Sequence, residues 1–217
     1  MLLGGHSMVD NFKDILSERQ LTALASIIQV GDAAYRELME IKAFGHCYLK
    51  SIRGYMWTKL VQMQCEIESY EAGFPFEFSQ RKFKYGQIVP ELRTKGLILH
   101  IARSSHPDVL PYSSEYKIKL ANNNEPIQRQ LVIDDQTNPP SLINEPYYGL
   151  LVFGGQDQRF FSVIQFPEPG YIGIAKKIDI PQSCLTGAVK ETETFERKKA
   201  VLKDEFLVAQ RSKEIVS

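Results

Sequence analysis

Two acidic side chains and a lysine near the middle of the chain have types and spacing that could support metal-dependent chemistry. Asp108 follows Pro107, and six residues separate it from the triplet Glu115-Tyr116-Lys117. Two carboxylates can hold a hard cation such as Mg²⁺, and the cation can polarise a phosphate. Apolar and charged residues alternate over 116–120, which predicts a half-buried strand. In a strand, Glu115 and Lys117 would point to the same face.

This pattern resembles the signature of the PD-(D/E)xK nucleases. The resemblance implies that Asp108 and Glu115 would bind Mg²⁺ and that Lys117 would position or activate the attacking water. Glu66 or Glu68 could add a carboxylate from the preceding helix. The resemblance extends over residues 107–117 only, and the competing interpretation is the ordinary exposed face of a half-buried strand.

A basic and aromatic segment is the second candidate site. Residues 74–96 are interpreted as a connector, and within it Arg81, Lys82, Phe83 and Lys84 have the composition of a platform for single-stranded nucleic acid. In such platforms aromatic faces stack on bases and cations follow the phosphates. The alternative is that the aromatic residues fill the core and the cations point to water. Cations of the preceding helix could extend the platform, namely Lys50, Arg53 and Lys59.

The remaining chemical side chains favour structural roles. Ser104, Ser105, His106 and Asp108 are adjacent, which is more typical of a polar turn than of a catalytic triad. His100 lies in an apolar run and is expected to be a hydrogen-bonded core residue. The Gly-Gly pair at 154–155 lacks the Lys-Ser/Thr of a phosphate-binding loop, so a hairpin turn is expected.

The cysteines do not form a metal-binding pattern. None of Cys47, Cys65 and Cys184 belongs to a Cys-x-x-Cys pair, and the spacing of His46, Cys47 and Cys65 cannot place all three on one helix face. An odd, scattered set of cysteines indicates a reducing compartment, so a soluble protein of the cytoplasm is expected.

Charge and hydropathy give no global preference for nucleic acid or membrane. The chain has 26 Lys plus Arg and 26 Asp plus Glu, hence a net charge of zero. Its longest dense apolar run, at 147–153, is too short to span a bilayer. Residues 1–8 are interpreted as an added tag ahead of a natural start at Met8, which leaves 9–217 as a single domain.

The first third of the chain predicts helices. A capping box formed by Ser17 and Gln20 begins a helix that is expected to end at Gly31. Asp32 is expected to cap a second helix over 33–43. A third helix is expected over 46–72, with an apolar stripe that includes Met56 and Leu60.

The rest of the chain predicts mainly strands. They are expected over 97–102, 116–120, 127–133, 147–153, 160–166 and 171–180, the last three as an antiparallel meander with its final strand near an edge. A last helix over 190–213 could dock separately. The fold class is therefore α+β, with an N-terminal helical layer on a mainly antiparallel sheet of about six strands and a C-terminal helix.

No family resemblance covers the whole chain, and two function classes stay open. The leading hypothesis is a non-catalytic interaction or regulatory protein that works through protein–protein contacts, with self-association plausible and no cofactor. The alternative is a metal-dependent nuclease or a nucleic-acid-binding protein, with Mg²⁺ as the cofactor of the nuclease. Neither hypothesis involves a membrane.

Overall fold

The computed structural model describes a helical layer packed on one face of a six-stranded sheet, with a short helix on the other face. It describes residues 15–42, 44, 46–83, 86–125, 127, 145–155, 160–180, 201, 202 and 204. Within these residues the α+β class is confirmed. None of the described helices combines the length and the hydropathy that a membrane span requires.

Helix α1 (Glu18–Glu40) is continuous where the sequence predicted two helices. The capping box is confirmed: the Ser17 side chain accepts from the Gln20 backbone, and the Gln20 side chain accepts from the Ser17 backbone. The predicted break at Gly31 was wrong. Gly31 is buried inside the helix, and a Cβ there would lie 2.7 Å from Val61 Cα. The glycine lets two helix backbones approach closely and does not end a helix.

Helix α2 (Arg53–Ser69) follows a short 3₁₀ helix (Cys47–Ile52) in the region where one long helix was predicted. Met56 and Leu60 of the predicted stripe are buried, but Tyr48 and Tyr70 at its two ends are exposed. The buried face of α2 also includes Trp57, Val61, Gln64, Cys65 and Glu68.

The predicted connector over 74–96 is in fact a β-hairpin, which corrects the sequence interpretation. Strands β1 (Glu77–Lys82) and β2 (Ile88–Arg93) pair antiparallel, with Phe78 opposite Leu92 and Lys82 opposite Ile88. Phe76 is buried and Phe78 packs against the main core, so these aromatic residues join the hairpin to the helical layer.

The sheet has the order β1-β2-β3-β4-β5-β6, with β3 (Leu97–Arg103), β4 (Tyr147–Gly154), β5 (Phe161–Pro167) and β6 (Ile174–Asp179). All neighbours are antiparallel except β3 and β4, which are parallel. The predicted meander over the last three strands is confirmed, as is the edge position of the final one. β4 and β5 are buried on both faces, as their unbroken apolar runs predicted.

Parallel strands need a crossover, and helix α3 (Glu115–Ala121) lies in the β3–β4 connection. The strand predicted over 116–120 was therefore wrong. Ser114 caps the helix by accepting from the Lys117 backbone, and Glu115 in the first turn and Lys119 in the last turn suit the helix dipole. A 3₁₀ turn (Asn122–Asn124) follows, and the buried Asn124 side chain bonds the backbone of β4 and of Pro167.

Apolar side chains cover both faces of the sheet. The larger cluster joins α1 and α2 to the sheet through residues such as Leu24, Val61, Leu99 and Phe153. The second lies on the α3 side and includes Ile98, Tyr148 and Val163. Leu202 is buried in a third cluster with α1 and α2, so this part of the predicted C-terminal helix packs on its own chain. The remainder of that helix, nearly all of the predicted 127–133 strand, and residues 1–14 lie outside the described residues.

Candidate functional site

The residues of the nuclease-like pattern are separated among different elements. Asp108 lies in the loop between β3 and α3, where its Oδ1 accepts from Lys177 Nζ of β6 at 2.6 Å. This bond holds the pKa of Asp108 below its usual value. Glu115 is the exposed first residue of α3, and Lys117 Nζ donates to the Tyr112 carbonyl at 2.7 Å.

A divalent metal does not fit this arrangement. Successive residues of a helix are rotated by about 100°, so residues two apart point to nearly opposite sides. Glu115 and Lys117 therefore lack the common face that the strand prediction required. The Glu68 carboxylate accepts hydrogen bonds from Ser26 Oγ at 2.9 Å and from Gln64 Nε2 at 3.0 Å. In the part of the chain that the structure describes, no three His, Cys, Asp or Glu side chains are grouped to hold a metal ion.

The polar segment that contains His106 forms a turn, as the sequence favoured. The Asp108 backbone donates to His106 Nδ1 at 3.2 Å, and Ser104 Oγ donates to the Val109 carbonyl at 2.8 Å. Gln165 of β5 fixes the turn by donating to the Pro107 carbonyl at 2.8 Å.

A buried polar cluster on the α3 side of the sheet joins several ionisable side chains through hydrogen bonds. Its centre is Glu91 of β2, which faces His100 of β3 in register. Both residues are only 2% exposed. His100 Nε2 lies 3.0 Å from Glu91 Oε2, and the Tyr116 hydroxyl of α3 donates to the same oxygen at 2.9 Å.

The cluster continues from His100 to Tyr148 of β4. The Tyr148 hydroxyl lies 3.0 Å from His100 Nδ1, and Tyr148 is fully buried. Because a carboxylate only accepts, a neutral His100 must donate from Nε2 to Glu91 and accept at Nδ1 from Tyr148. One tautomer therefore satisfies every hydrogen bond along Tyr148, His100 and Glu91.

Two arginines close the cluster on its solvent side. Arg93 Nε donates to Glu91 Oε1 at 2.7 Å, and Arg93 Nη2 forms an ion pair with the same oxygen at 2.5 Å. Arg81 of β1 lies farther away, with Nε 3.6 Å from Oε2, and its guanidinium carbon is 3.9 Å from the centre of the Tyr116 ring. Phe83 meets the same ring edge-on at 5.8 Å between centroids.

These contacts determine the charge states in the cluster. The His100 hydrogen bond, helped by Arg93 and Tyr116, lowers the pKa of Glu91 to about 2. Burial lowers the pKa of His100, so its imidazole is neutral at neutral pH. Burial and the Glu91 carboxylate raise the pKa of Tyr116 to about 12, and burial raises the pKa of Tyr148 and lowers that of Lys117.

The opposite side of the sheet carries a basic and aromatic surface, formed by the 3₁₀ helix, the first half of α2 and the β1–β2 hairpin. The sequence has no Asp or Glu at 41–65 or at 78–90. Tyr48 is 85% exposed and Tyr55 is 60% exposed, and Ile52 and Ile88 are also exposed. The cations of this surface are Lys50, Arg53, Lys59 and Lys82.

Lys59 fixes the hairpin to the helix on this basic and aromatic surface. Its ammonium lies 5.6 Å from the centre of the Tyr55 ring and donates to the Ile88 carbonyl at 2.9 Å and to Gln62 at 2.8 Å. Lys82 pairs with Ile88 across the hairpin. Helix and hairpin therefore contribute to one continuous surface.

The predicted platform of Arg81, Lys82, Phe83 and Lys84 is divided by the strand that carries it. Arg81 and Phe83 both contact Tyr116 on the α3 side, whereas Lys82 pairs with Ile88 on the helical side. Lys84 lies outside the described residues.

Sequence reasoning placed His100 correctly as a hydrogen-bonded core residue but missed Glu91. The available signal was a single acidic residue between Pro90 and Leu92, which becomes a site residue only when the β2–β3 register places it opposite His100.

Comparisons of this chain with protein-family models, with curated proteins and with solved structures found no match.

Proposed function

We propose that this protein binds single-stranded nucleic acid, without cleaving it, through the basic and aromatic surface. The observation that supports the proposal most is the position of Lys59 between Tyr55 of α2 and Ile88 of β2. This contact places the exposed Tyr55 ring of α2 beside the hairpin that carries the exposed Lys82, and the segments 41–65 and 78–90 around it contain no Asp or Glu.

The physical case depends on two kinds of contact. An exposed ring such as Tyr55 can stack on a base of any sequence, because every base has a π-face. Lys50 and Lys82 are exposed and can follow the phosphates. The zero net charge of the whole chain means that attraction to the polymer would be local, so we expect weak, salt-sensitive binding.

The test is fluorescence anisotropy of labelled single-stranded DNA and RNA, titrated with the full chain at several salt concentrations. We expect saturable binding at low salt with a Kd of roughly 1–100 μM, weakening linearly in a plot of log affinity against log salt. Duplex DNA of the same sequence should bind less tightly, because its bases are not free to stack. Unchanged anisotropy at the lowest salt would reject the proposal.

Protein–protein contact is the second candidate function, and the exposure of Tyr48, Ile52 and Tyr55 on one surface favours it. Aromatic residues are enriched in protein interfaces, and these exposed apolar side chains could pack against the same surface of a second copy. The discriminating measurement is sedimentation velocity of the protein alone. A concentration-dependent dimer that Tyr55→Ala abolishes, with no binding to oligonucleotides, would favour this alternative over nucleic acid.

We propose a cytoplasmic location for this protein. Cys47 is a free, exposed thiol and Cys65 is a free, buried one, a pattern that suits a reducing compartment. Burial and the neighbouring carboxylates raise the pKa of Cys65, so this thiol stays protonated and inert.

A further inference from the structure

The two arginines of the polar cluster use only part of their hydrogen-bonding capacity on Glu91. A guanidinium has five N–H donors. Arg93 uses its Nε and Nη2 atoms on Glu91 Oε1, whereas Arg81 makes one long ion pair through Nε. Both side chains are 41% exposed. Donors of both residues are therefore available at the surface of the cluster.

Positive charge exceeds negative charge at this position. Arg81 and Arg93 face one carboxylate, that of Glu91, and the half-buried Lys117 is near enough to His100 to help lower its pKa. Glu77 is opposite Arg93 in register and is exposed, and it reduces the excess without removing it. A partly buried excess of positive charge is costly until an anion joins it. A metal cation would meet two guanidinium groups and is disfavoured.

We propose that Arg81 and Arg93 form a clamp that binds a phosphate group on the α3 side of the sheet. Glu91 holds Arg93 with one hydrogen bond and one close ion pair, and the Arg81 guanidinium lies over the face of the Tyr116 ring. Rigid, planar guanidinium groups can each donate two parallel hydrogen bonds to a phosphate. The clamp is assembled before the ligand arrives, so little side-chain entropy is lost on binding.

The location of the clamp connects it to the basic and aromatic surface. Arg81 and Lys82 are adjacent in β1, which is the edge strand of the sheet, and their side chains lie on opposite faces. A strand of nucleic acid that crosses this edge could contact both residues. That the phosphate belongs to nucleic acid rests on the proposed function. Inorganic phosphate tests the clamp separately.

The experiment is titration of the full chain with inorganic phosphate, followed by calorimetry and by NMR of the His100 imidazole. We expect saturable binding with a Kd of about 1 mM or tighter, and perturbation of the His100 signals because the ligand lies beside Glu91.

Arg81→Ala, which leaves the Arg93–Glu91 ion pair in place, should weaken phosphate binding about tenfold. Arg93→Lys should also weaken phosphate binding, although the lysine keeps a positive charge beside the Glu91 carboxylate. Glu77→Gln should tighten binding about twofold, since it removes a nearby negative charge.

The matched control is Arg36→Ala, which removes an exposed arginine of α1 on the far side of the molecule and should leave the Kd unchanged. Thermal melts confirm that each variant is folded. Absence of saturable phosphate binding in the wild type, or equal binding in wild type and Arg81→Ala, would overturn the clamp. Absence of phosphate binding together with oligonucleotide binding that depends on Lys50 and Lys82 would overturn the clamp while leaving the proposed function intact.

Discussion

The Glu91 carboxylate and the His100 imidazole lie 3.0 Å apart across the β2–β3 register pair, and both are buried beneath α3. Burying a charge is costly unless partners replace the lost water. Glu91 has those partners in Arg93, Tyr116 and His100. The bond between Glu91 and His100 therefore connects the stability of the sheet to the protonation of both side chains.

Acid should destabilise the fold in two stages. The ordinary pKa values are 6.5 for His and 4.5 for Glu, and the fold lowers both, to about 2 for Glu91. At these two side chains the unfolded state therefore binds more protons than the native state in acid, so their contribution to stability falls as the pH decreases. His100 contributes first, below its ordinary pKa. Glu91 contributes next, as the pH falls from 4.5 to about 2. Its protonation should lower the free energy of unfolding by about 2 kcal/mol, a value reduced because the arginine end of the cluster is open to solvent.

Urea unfolding from pH 7 to pH 3 measures this dependence. In Glu91→Gln, which cannot ionise at that position, the second stage should be much smaller than in the wild type. If the two proteins lose the same free energy of unfolding between pH 5 and pH 3, Glu91 does not have the lowered pKa described above.

Tyr148→Phe should destabilise the protein by about 1–3 kcal/mol, because it leaves the buried His100 Nδ1 without a hydrogen-bond donor. Tyr112→Phe removes a hydroxyl from a residue that is almost fully exposed and serves as the control, with an expected change near zero. Denaturant melts of the three proteins provide the comparison. Equal stability of Tyr148→Phe and the wild type would mean that the Tyr148–His100 bond contributes nothing.

Gly31→Ala should destabilise the protein although alanine favours helices. The new Cβ would lie 2.7 Å from Val61 Cα, so the two helix backbones must separate, at a cost of about 1–3 kcal/mol. Gly54→Ala is the matched control, since its Cβ would meet only the flexible end of Arg103. We expect Gly54→Ala to be close to neutral in thermal melts. A stabilised Gly31→Ala would show that the helices do not pack as closely as described.

The nuclease-like residues should not form a metal site. Asp108 is paired with Lys177, and Glu115 belongs to a helix. Calorimetric titration with Mn²⁺ should therefore give the same result for the wild type and for Asp108→Ala/Glu115→Ala, and labelled oligonucleotides should stay intact in Mn²⁺. Mn²⁺ binding that only the double variant loses would restore the nuclease hypothesis.

Local sequence patterns could predict those parts of the fold that depend on neighbouring residues. The Ser17–Gln20 capping box and the strands β4 and β5 are examples, because a cap or an apolar run is complete within a few residues. The segment 116–120 shows where this fails. Its alternation suits a strand, but the Ser114 cap and the crossover required between parallel strands produce a helix.

The candidate sites depend on pairings that no single segment contains. Glu91 and His100 meet because β2 and β3 adopt one register, and a shift by one residue would turn Glu91 to the other face. Arg81 and Lys82 separate to opposite faces once β1 is a strand and not a connector. Composition could therefore indicate the basic hairpin, but it could not show how the strand divides these cations.

The measurement that tests the central claim most directly is oligonucleotide anisotropy for the wild type and three variants. Lys50→Ala/Lys82→Ala should lower affinity and reduce the salt slope by about two, and Tyr55→Ala should weaken binding roughly 5- to 100-fold through lost stacking. Lys119→Ala removes an exposed lysine of α3, on the other side of the sheet, and should match the wild type. Equal binding by all four proteins would contradict the claim that this surface binds nucleic acid.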